Sequence, residues 1–391
     1  MNEMNSTLLS AADTNLAPVY AEIFLLIATS AILLIDLFLK EGKRNLTYGL
    51  SLLAIGGCAI FSFLDFQSGA TVYTFSGMYV SDPMSNLLKL FTYLATAMTI
   101  VYSRQYAGER GMMSGNLGGE FYVLALFSML GQMIMISGNS MLSIYLGLEL
   151  MSLSLYALVA LRRDHAVSTE AAMKYFILGA LASGFLLYGI SMIYGATGSL
   201  DINTIAQVSA SDAANRTILV FGLVFVVAGL AFKLGVVPFH MWVPDVVQGS
   251  PTAVTLLLGG APKIATFAIV IRLLAEALPS MAFDWQQMLL VVAVLSLAFG
   301  NVTAIAQTNI KRMLAYSTIA QMGFVVLALV VGNVDGDTTN AAAAYSAAMY
   351  YTIIYVLTTV GTFGLIMMLA RAGHEAELIS DFKGLGKRSP W

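Results

Sequence analysis

Long apolar runs separated by short polar breaks set the pattern of this chain. They lie near residues 17–39, 46–64, 84–103, 119–137, 140–161, 170–196, 217–240, 252–277, 286–307, 313–333 and 341–370. At 1.5 Å of rise per residue, a helix over each run is long enough to cross ~30 Å of hydrocarbon. The pattern predicts an all-α polytopic membrane protein with about eleven transmembrane helices, forming a single transmembrane domain over 1–391. The first run is too long for a signal-peptide core and lacks a basic n-region, so it reads as a retained span. The longest loops, near 65–83, 104–118 and 197–216, are short and polar, and no soluble domain interrupts the spans.

Composition sharpens the class. With 58% hydrophobic and 10% charged residues and a mean hydropathy of +0.81, the chain is not a soluble fold. Its lone cysteine, Cys58, excludes a disulfide framework, and no CxxC or similar cluster offers a site for zinc, haem or iron–sulfur. Gly386-Lys387 lacks the glycine spacing and the Ser/Thr of a P-loop. The chain is therefore expected to bind no cofactor and to carry no redox centre of its own.

Charge placement orients the bundle. The loops after spans one, three, five, nine and eleven hold Lys40, Lys43, Arg44, Arg104, Arg110, Arg162, Arg163, Lys311, Arg312, Arg371, Lys383, Lys387 and Arg388, whereas the opposite loops hold only Arg216 and Arg272. The positive-inside rule places the N-terminus outside and the C-terminal end of this chain in the cytoplasm. The other four basic residues, Lys89, Lys174, Lys233 and Lys263, fall inside spans. Arginine holds its proton under all working conditions, and lysine can release one when desolvated, so this bias suits groups that titrate.

The stretch 231–263, AFKLGVVPFHMWVPDVVQGSPTAVTLLLGGAPK, concentrates the candidate chemistry. Lys233 sits in an apolar run with no other charged residue from Thr217 through Val243. A lysine there costs about 2.5–3.5 kcal/mol on insertion scales and usually faces a bundle interior or an aqueous cavity. His240 follows seven residues later, two helical turns on, where a proton relay and a satisfied core histidine are both open. Pro238 and Pro244 predict a kink or an end that frees backbone carbonyls. Ser250-Pro251 reads as an N-cap with proline at the first helical position, and Gly259-Gly260 with Pro262 predicts another break beside Lys263.

Glu149 is flanked on each side by nine apolar or small neutral residues, and an intramembrane lysine is its natural partner. A Glu–Lys pair in low dielectric holds the lysine charged when close and lets it shed a proton when separated. The competing reading is a static ion pair between Glu149 and Lys233, but buried pairs are poor stabilisers. Lys174 and Lys263 are further path candidates, and Lys89, near its span start, could snorkel. Glu22 and Asp36 lie toward the ends of span one and His165 in a basic loop, where solvation accounts for them.

An internal repeat bears on architecture. Ala171-Ala172-Met173-Lys174-Tyr175 matches Ala347-Ala348-Met349-Tyr350-Tyr351 at an offset of 176. Five spans separate the copies, an odd number, so they cross the membrane in opposite senses, as in inverted-repeat transporters.

The blocks LGLELMSLSLYALVAL, AAMKYFILGALASGFLLYGISMIYG, FKLGVVPFHMWVPDVVQGSPT and LLLGGAPKIATFA resemble the subunit N family of bacterial proton-translocating NADH:quinone oxidoreductases, the antiporter-like membrane subunits of respiratory complex I. The resemblance runs along essentially the whole chain. It implies a proton-translocating subunit, part of an enzyme without itself being redox-active, in inverted five-helix repeats with a broken seventh helix. The first repeat would cover about 119–277 and an incomplete second about 286–391. It implies a proton path through Glu149, Lys233, Lys174, Lys263 and His240. Protons, membrane lipid and the other membrane and peripheral subunits of complex I would be the partners, with no nucleic acid. FMN, iron–sulfur clusters, NADH and quinone would belong to the wider complex, in the bacterial inner membrane. The family has about fourteen spans and a second broken helix with another lysine. The repeat offset applied to Lys233 points to position 409, past Trp391, so the chain is expected to be truncated at its C-terminus relative to the family. A component of a multisubunit cation/proton (Mrp-type) antiporter is the alternative.

Overall fold

The computed structural model describes residues 15–39, 44–109, 112, 118–211, 214–332, 339–370 and 375–388. Lys40, Lys43, Arg110 and Arg371, which enter the charge argument, lie outside the described residues. Among the described residues, eleven helical spans are long and apolar enough to cross a membrane, matching the runs in the sequence.

The helices are α1 (Tyr20–Leu37), α2 (Asn45–Ser68), α3 (Pro83–Glu109), α4 (Glu120–Ser137), α5 (Met141–Val159), α6 (Ala166–Thr197), the short α7 (Ile202–Ser209) and α8 (Arg216–Leu234). Then come the short α9 (Trp242–Gly249), α10 (Thr252–Gly259), α11 (Ala261–Val270), α12 (Ala282–Ile305), α13 (Ile310–Val330) and α14 (Ala341–Leu369). A small antiparallel hairpin, β1 (Val72–Thr74) with β2 (Tyr79–Ser81), joins α2 to α3 where the sequence reads only as a polar loop.

Polar side chains define the helix starts. Asn215 accepts from the Ile218 amide, Asn309 from that of Arg312 and Asp201 from that of Thr204, each satisfying one of the orphan donors of a first turn. His165 is exposed yet accepts from the Ser168 amide, so it caps α6 in addition to being solvated. Asp36 accepts from the Thr47 hydroxyl and the Gly119 amide, tying α1 to α2 and to the start of α4.

Apolar side chains gain nothing by leaving lipid for protein, so helix pairing relies on close packing at small residues. A Cβ at Gly131 of α4 would lie 2.5 Å from the Met151 nitrogen, and one at Gly147 of α5 would lie 2.8 Å from the Gly131 oxygen. These two helices therefore meet backbone to backbone beside Glu149. The α10–α11 span is enclosed by protein along its whole apolar window, whereas the other spans present faces outward. Lys263, in this enclosed span, cannot snorkel to an interface.

Candidate functional site

The site begins where α8 stops. Gly235 adopts φ +81°, the left-handed conformation that ends helices, and a Cβ there would come within 2.7 Å of Val243 Cγ2. The last four carbonyls of α8 are all used. Ala231 O accepts from the amides of Gly235 and Val236, and Phe232 O from the Gly235 amide and Trp242 Nε1. Lys263 Nζ donates to the oxygens of Lys233 at 3.1 Å and Leu234 at 2.8 Å. An ammonium at the negative end of a helix is electrostatically favoured, so Lys263 is a cationic cap reaching across from α11. Its own position follows from a second break, since Gly260 sits at φ −97°, ψ −109° between α10 and α11.

Lys233 is buried, and its Nζ donates to Ser152 Oγ at 2.8 Å. Ser152 lies one turn beyond Glu149 on α5, so the bond brings Lys233 to the helix that carries the carboxylate. Among the described residues Lys233 forms no salt bridge to Glu149, whose Oε1 is buried without a hydrogen-bond partner. The direct pair expected from the sequence is not formed; Lys233 is bonded to Ser152 instead. A buried, partly unsatisfied carboxylate is a costly arrangement that a proton or a water molecule resolves.

Two of the other candidates stand elsewhere. Because α8 ends at Leu234, His240 is not two turns above Lys233 on one helix. It sits in the 235–241 linker against the Phe299 ring, 4.8 Å between centroids, with a buried and unpartnered Nδ1. Lys174 is 43% exposed and pairs with Asp245 at 2.8 Å and Glu170 at 2.9 Å. Arg312 joins the same Asp245 at 2.7 Å. Burial raises the Asp245 carboxyl, but hydrogen bonds from Lys174 and Arg312 outweigh it and hold the group below the usual carboxylate value.

Sequence reasoning missed a fully buried lysine close to this triad. Lys311, assigned to a loop, begins α13 at 1% exposure and donates to Ser250 O at 2.8 Å and Glu377 Oε1 at 3.2 Å. Ser250 does not cap α10 as its Ser-Pro signature suggested, since its hydroxyl turns back to Val246 O. The first amide of α10 donates instead to the Tyr106 hydroxyl, which is also bonded to Glu375. The segment after span eleven thus lies across the ends of α3, α10 and α13, a placement no local pattern encodes. Lys89 does not snorkel; it is buried against Glu22, which the sequence assigned to solvent. Arg272, assigned to the sparsely charged loops, is buried at the end of span eight between Asp82 and Glu276. No group of three or more His, Cys, Asp or Glu able to hold a metal is found among the described residues.

A polytopic helical bundle with titratable side chains buried where two successive spans break is an ion-translocating membrane protein of antiporter-like construction. Residues 138–391 match the family described as NADH:quinone oxidoreductase/Mrp antiporter, transmembrane, and the chain belongs to that family. NADH-quinone oxidoreductase subunit N of Herminiimonas arsenicoxydans is 68% identical over 380 residues, which cover 96% of this chain and 76% of that protein. Among solved structures, respiratory complex I from Thermus thermophilus with bound aureothin matches with TM-score 0.76 and 31% identity, over 95% of this chain and 75% of that one. The Mrp complex from Dietzia sp. DQ12-45-1b matches with TM-score 0.74 and 20% identity, over 90% of this chain and 64% of that one, a likeness of fold alone.

Proposed function

We propose that this chain is the proton-translocating, antiporter-like membrane subunit of an NADH:quinone oxidoreductase, a multi-pass protein of the bacterial inner membrane working beside the other subunits of complex I. The observation that carries this reading is the meeting of Lys263 with the Lys233 carbonyl at the end of α8, while Lys233 itself reaches Ser152 one turn from Glu149. Electron transfer from NADH to quinone belongs to other subunits, which would hold the FMN and iron–sulfur clusters. This chain's part in the enzyme is translocation.

In this reading Glu149 and Lys233 form the valve. When they stand apart, with Lys233 on Ser152, the lysine loses the carboxylate that favours its charged form; when they close, the ammonium is restored. Lys263 receives the proton released from Lys233 at the break and passes it onward, with His240 in the linker as a further relay. Lys174 acts from the basic face, where Asp245 and Glu170 hold it. The first antiporter-like repeat covers about 119–277 and the second starts near 286. That division is supported by the packing of α4 on α5, followed by α6, and of α12 on α13, followed by α14. The basic loops face the cytoplasm and the N-terminus faces outside.

The test is NADH-driven proton pumping in membranes holding the complete complex, with assembly as the control. Lys233→Met keeps length and apolarity, so the complex should assemble while its proton-to-electron ratio falls. Full pumping by an assembled Lys233→Met complex would return Lys233 to a structural role.

A further inference from the structure

The first three spans precede residues 138–391, the stretch that carries the family match, and they hold a separate buried group of titratable side chains. Lys89 of α3 is 1% exposed, and its Nζ lies 2.6 Å from Glu22 Oε1 of α1 and 2.7 Å from the Tyr79 hydroxyl of β2. Tyr79 donates to the same Glu22 oxygen at 2.7 Å. Glu22 is 5% exposed, and its second oxygen, Oε2, is buried without a hydrogen-bond partner. Two donors thus crowd one oxygen of a carboxylate while the other meets nothing. A proton or a water molecule at Oε2 satisfies it.

A line of buried polar side chains runs away from this pair. From Lys89, one face of α3 continues through Thr92, Thr96, Thr99 and Ser103, at alternating spacings of three and four residues, and ends at Tyr106. All are buried. Thr92 and Thr99 donate to the carbonyls four residues back, which leaves their oxygens free to accept from water. Thr96, two turns from Lys89, and Thr29, two turns from Glu22 on α1, have buried hydroxyls with no partner, as does Gln132 Oε1 on α4. Helix packing alone would favour small apolar residues or satisfied hydroxyls at these places.

We propose that Glu22, Lys89 and Tyr79 form a second proton-binding site of this chain, reached by water along the polar face of α3 and separate from the Lys233–Lys263 site. A proton delivered by water forms an O–H bond at Glu22 Oε2, and the ion pair with Lys89 becomes a hydrogen bond between an ammonium and a neutral acid. The proton leaves by the reverse step to water, with no electron transferred. Among the described residues, Cys58 and Asp65 of α2 and Tyr93 of α3 are the other titratable groups facing the pair. Cys58 is turned to Ala21 O and Tyr93 is bonded to Ser62. From α4 the buried Ser137 hydroxyl faces Tyr79.

The inference stands apart from the roles given to Lys233 and Lys263, and its test does not read pumping. Infrared difference spectra of the assembled complex between acid and alkaline pH should show a carboxylic-acid band that is lost in Glu22→Gln and kept in Lys233→Met. The exchanged pair Glu22→Lys with Lys89→Glu should keep such a band at a shifted frequency. If Glu22→Gln alone does not assemble, the double variant Glu22→Gln with Lys89→Met removes both charges, and the band should be absent there too. Identical carboxyl bands in the wild type and an assembled Glu22→Gln or double variant would overturn the proposal and leave the trio as a static clamp. Failure of the Lys233 reading would appear in the pumping of Lys233→Met and leave this band unchanged.

Discussion

A lysine buried in a membrane span needs a partner, and the choice of partner separates transport from mere stability. Ser152 can accept a hydrogen bond but cannot neutralise a charge, so Lys233 is held in place without being electrostatically locked. Ser152→Ala should leave the ammonium without its acceptor at a cost of about 1–3 kcal/mol. The expected outcome is an assembled complex with lower pumping and lower thermal stability. Lys233→Arg should also abolish this subunit's transport, because a guanidinium stays charged across the working pH range. Glu149→Gln should impair pumping more than Glu149→Asp, which keeps the charge on a shorter arm; the reverse order would remove the carboxylate charge from the mechanism. Asp245 gives a pH signature outside the spans. Its carboxyl is held low, so its contribution to stability is present above the unfolded value of about 3.9 and is lost as pH falls below it. Thermal melting should therefore be less acid-sensitive in Asp245→Asn than in the wild type.

At the scale of elements, the end of α8 and the break before α11 work as one unit. Gly235 turns the chain out of the helix, and Lys263 occupies the carbonyls that the turn exposes. Gly235→Ala puts a Cβ into a left-handed residue and against Val243, so it should cost about 1–3 kcal/mol. A lowered melting temperature of the purified complex, with pumping reduced alongside, is the expected result. Lys263→Met should be harsher than Lys233→Met on stability, since it leaves two carbonyl oxygens without a donor, while Lys233→Met orphans only a hydroxyl that still donates to Leu148 O. Equal melting temperatures for the two variants would show that the carbonyls at the break find other donors.

The whole molecule has one end rich in charge-paired basic residues, where Lys174, Arg312, Lys311 and Arg162 meet Asp245, Glu377 and Glu375. At the opposite end Arg272 bridges Asp82 and Glu276. The native Cys58 is fully buried and should not react, so single introduced cysteines can report topology. Cysteine at Thr308, in an exposed loop after span nine, should be labelled only from the cytoplasm, and cysteine at Ala210, after span six, only from outside. The opposite pattern would reverse the orientation and the direction assigned to the path.

Span number, membrane class and the positions of Glu149, Lys233 and Lys263 were all legible in the chain, because a bilayer imposes one length and one polarity on every span. Local signals also located the break at Gly259-Gly260, but they placed the end of the lysine-bearing helix at Pro238 and Pro244, whereas the chain leaves the helix earlier, at Gly235. They did not give the partners. That Lys233 meets Ser152, that Lys263 caps another helix and that Lys174 reaches Asp245 depend on which helix faces stand opposite each other, and identical periodicity permits many facings. Glu22 and Lys89 show this most directly, since each sits near a span end where the sequence reads as solvated. Only the packing of α1, α3 and the hairpin encloses them, because the tertiary structure alone decides whether a side chain near a span end meets water or another helix.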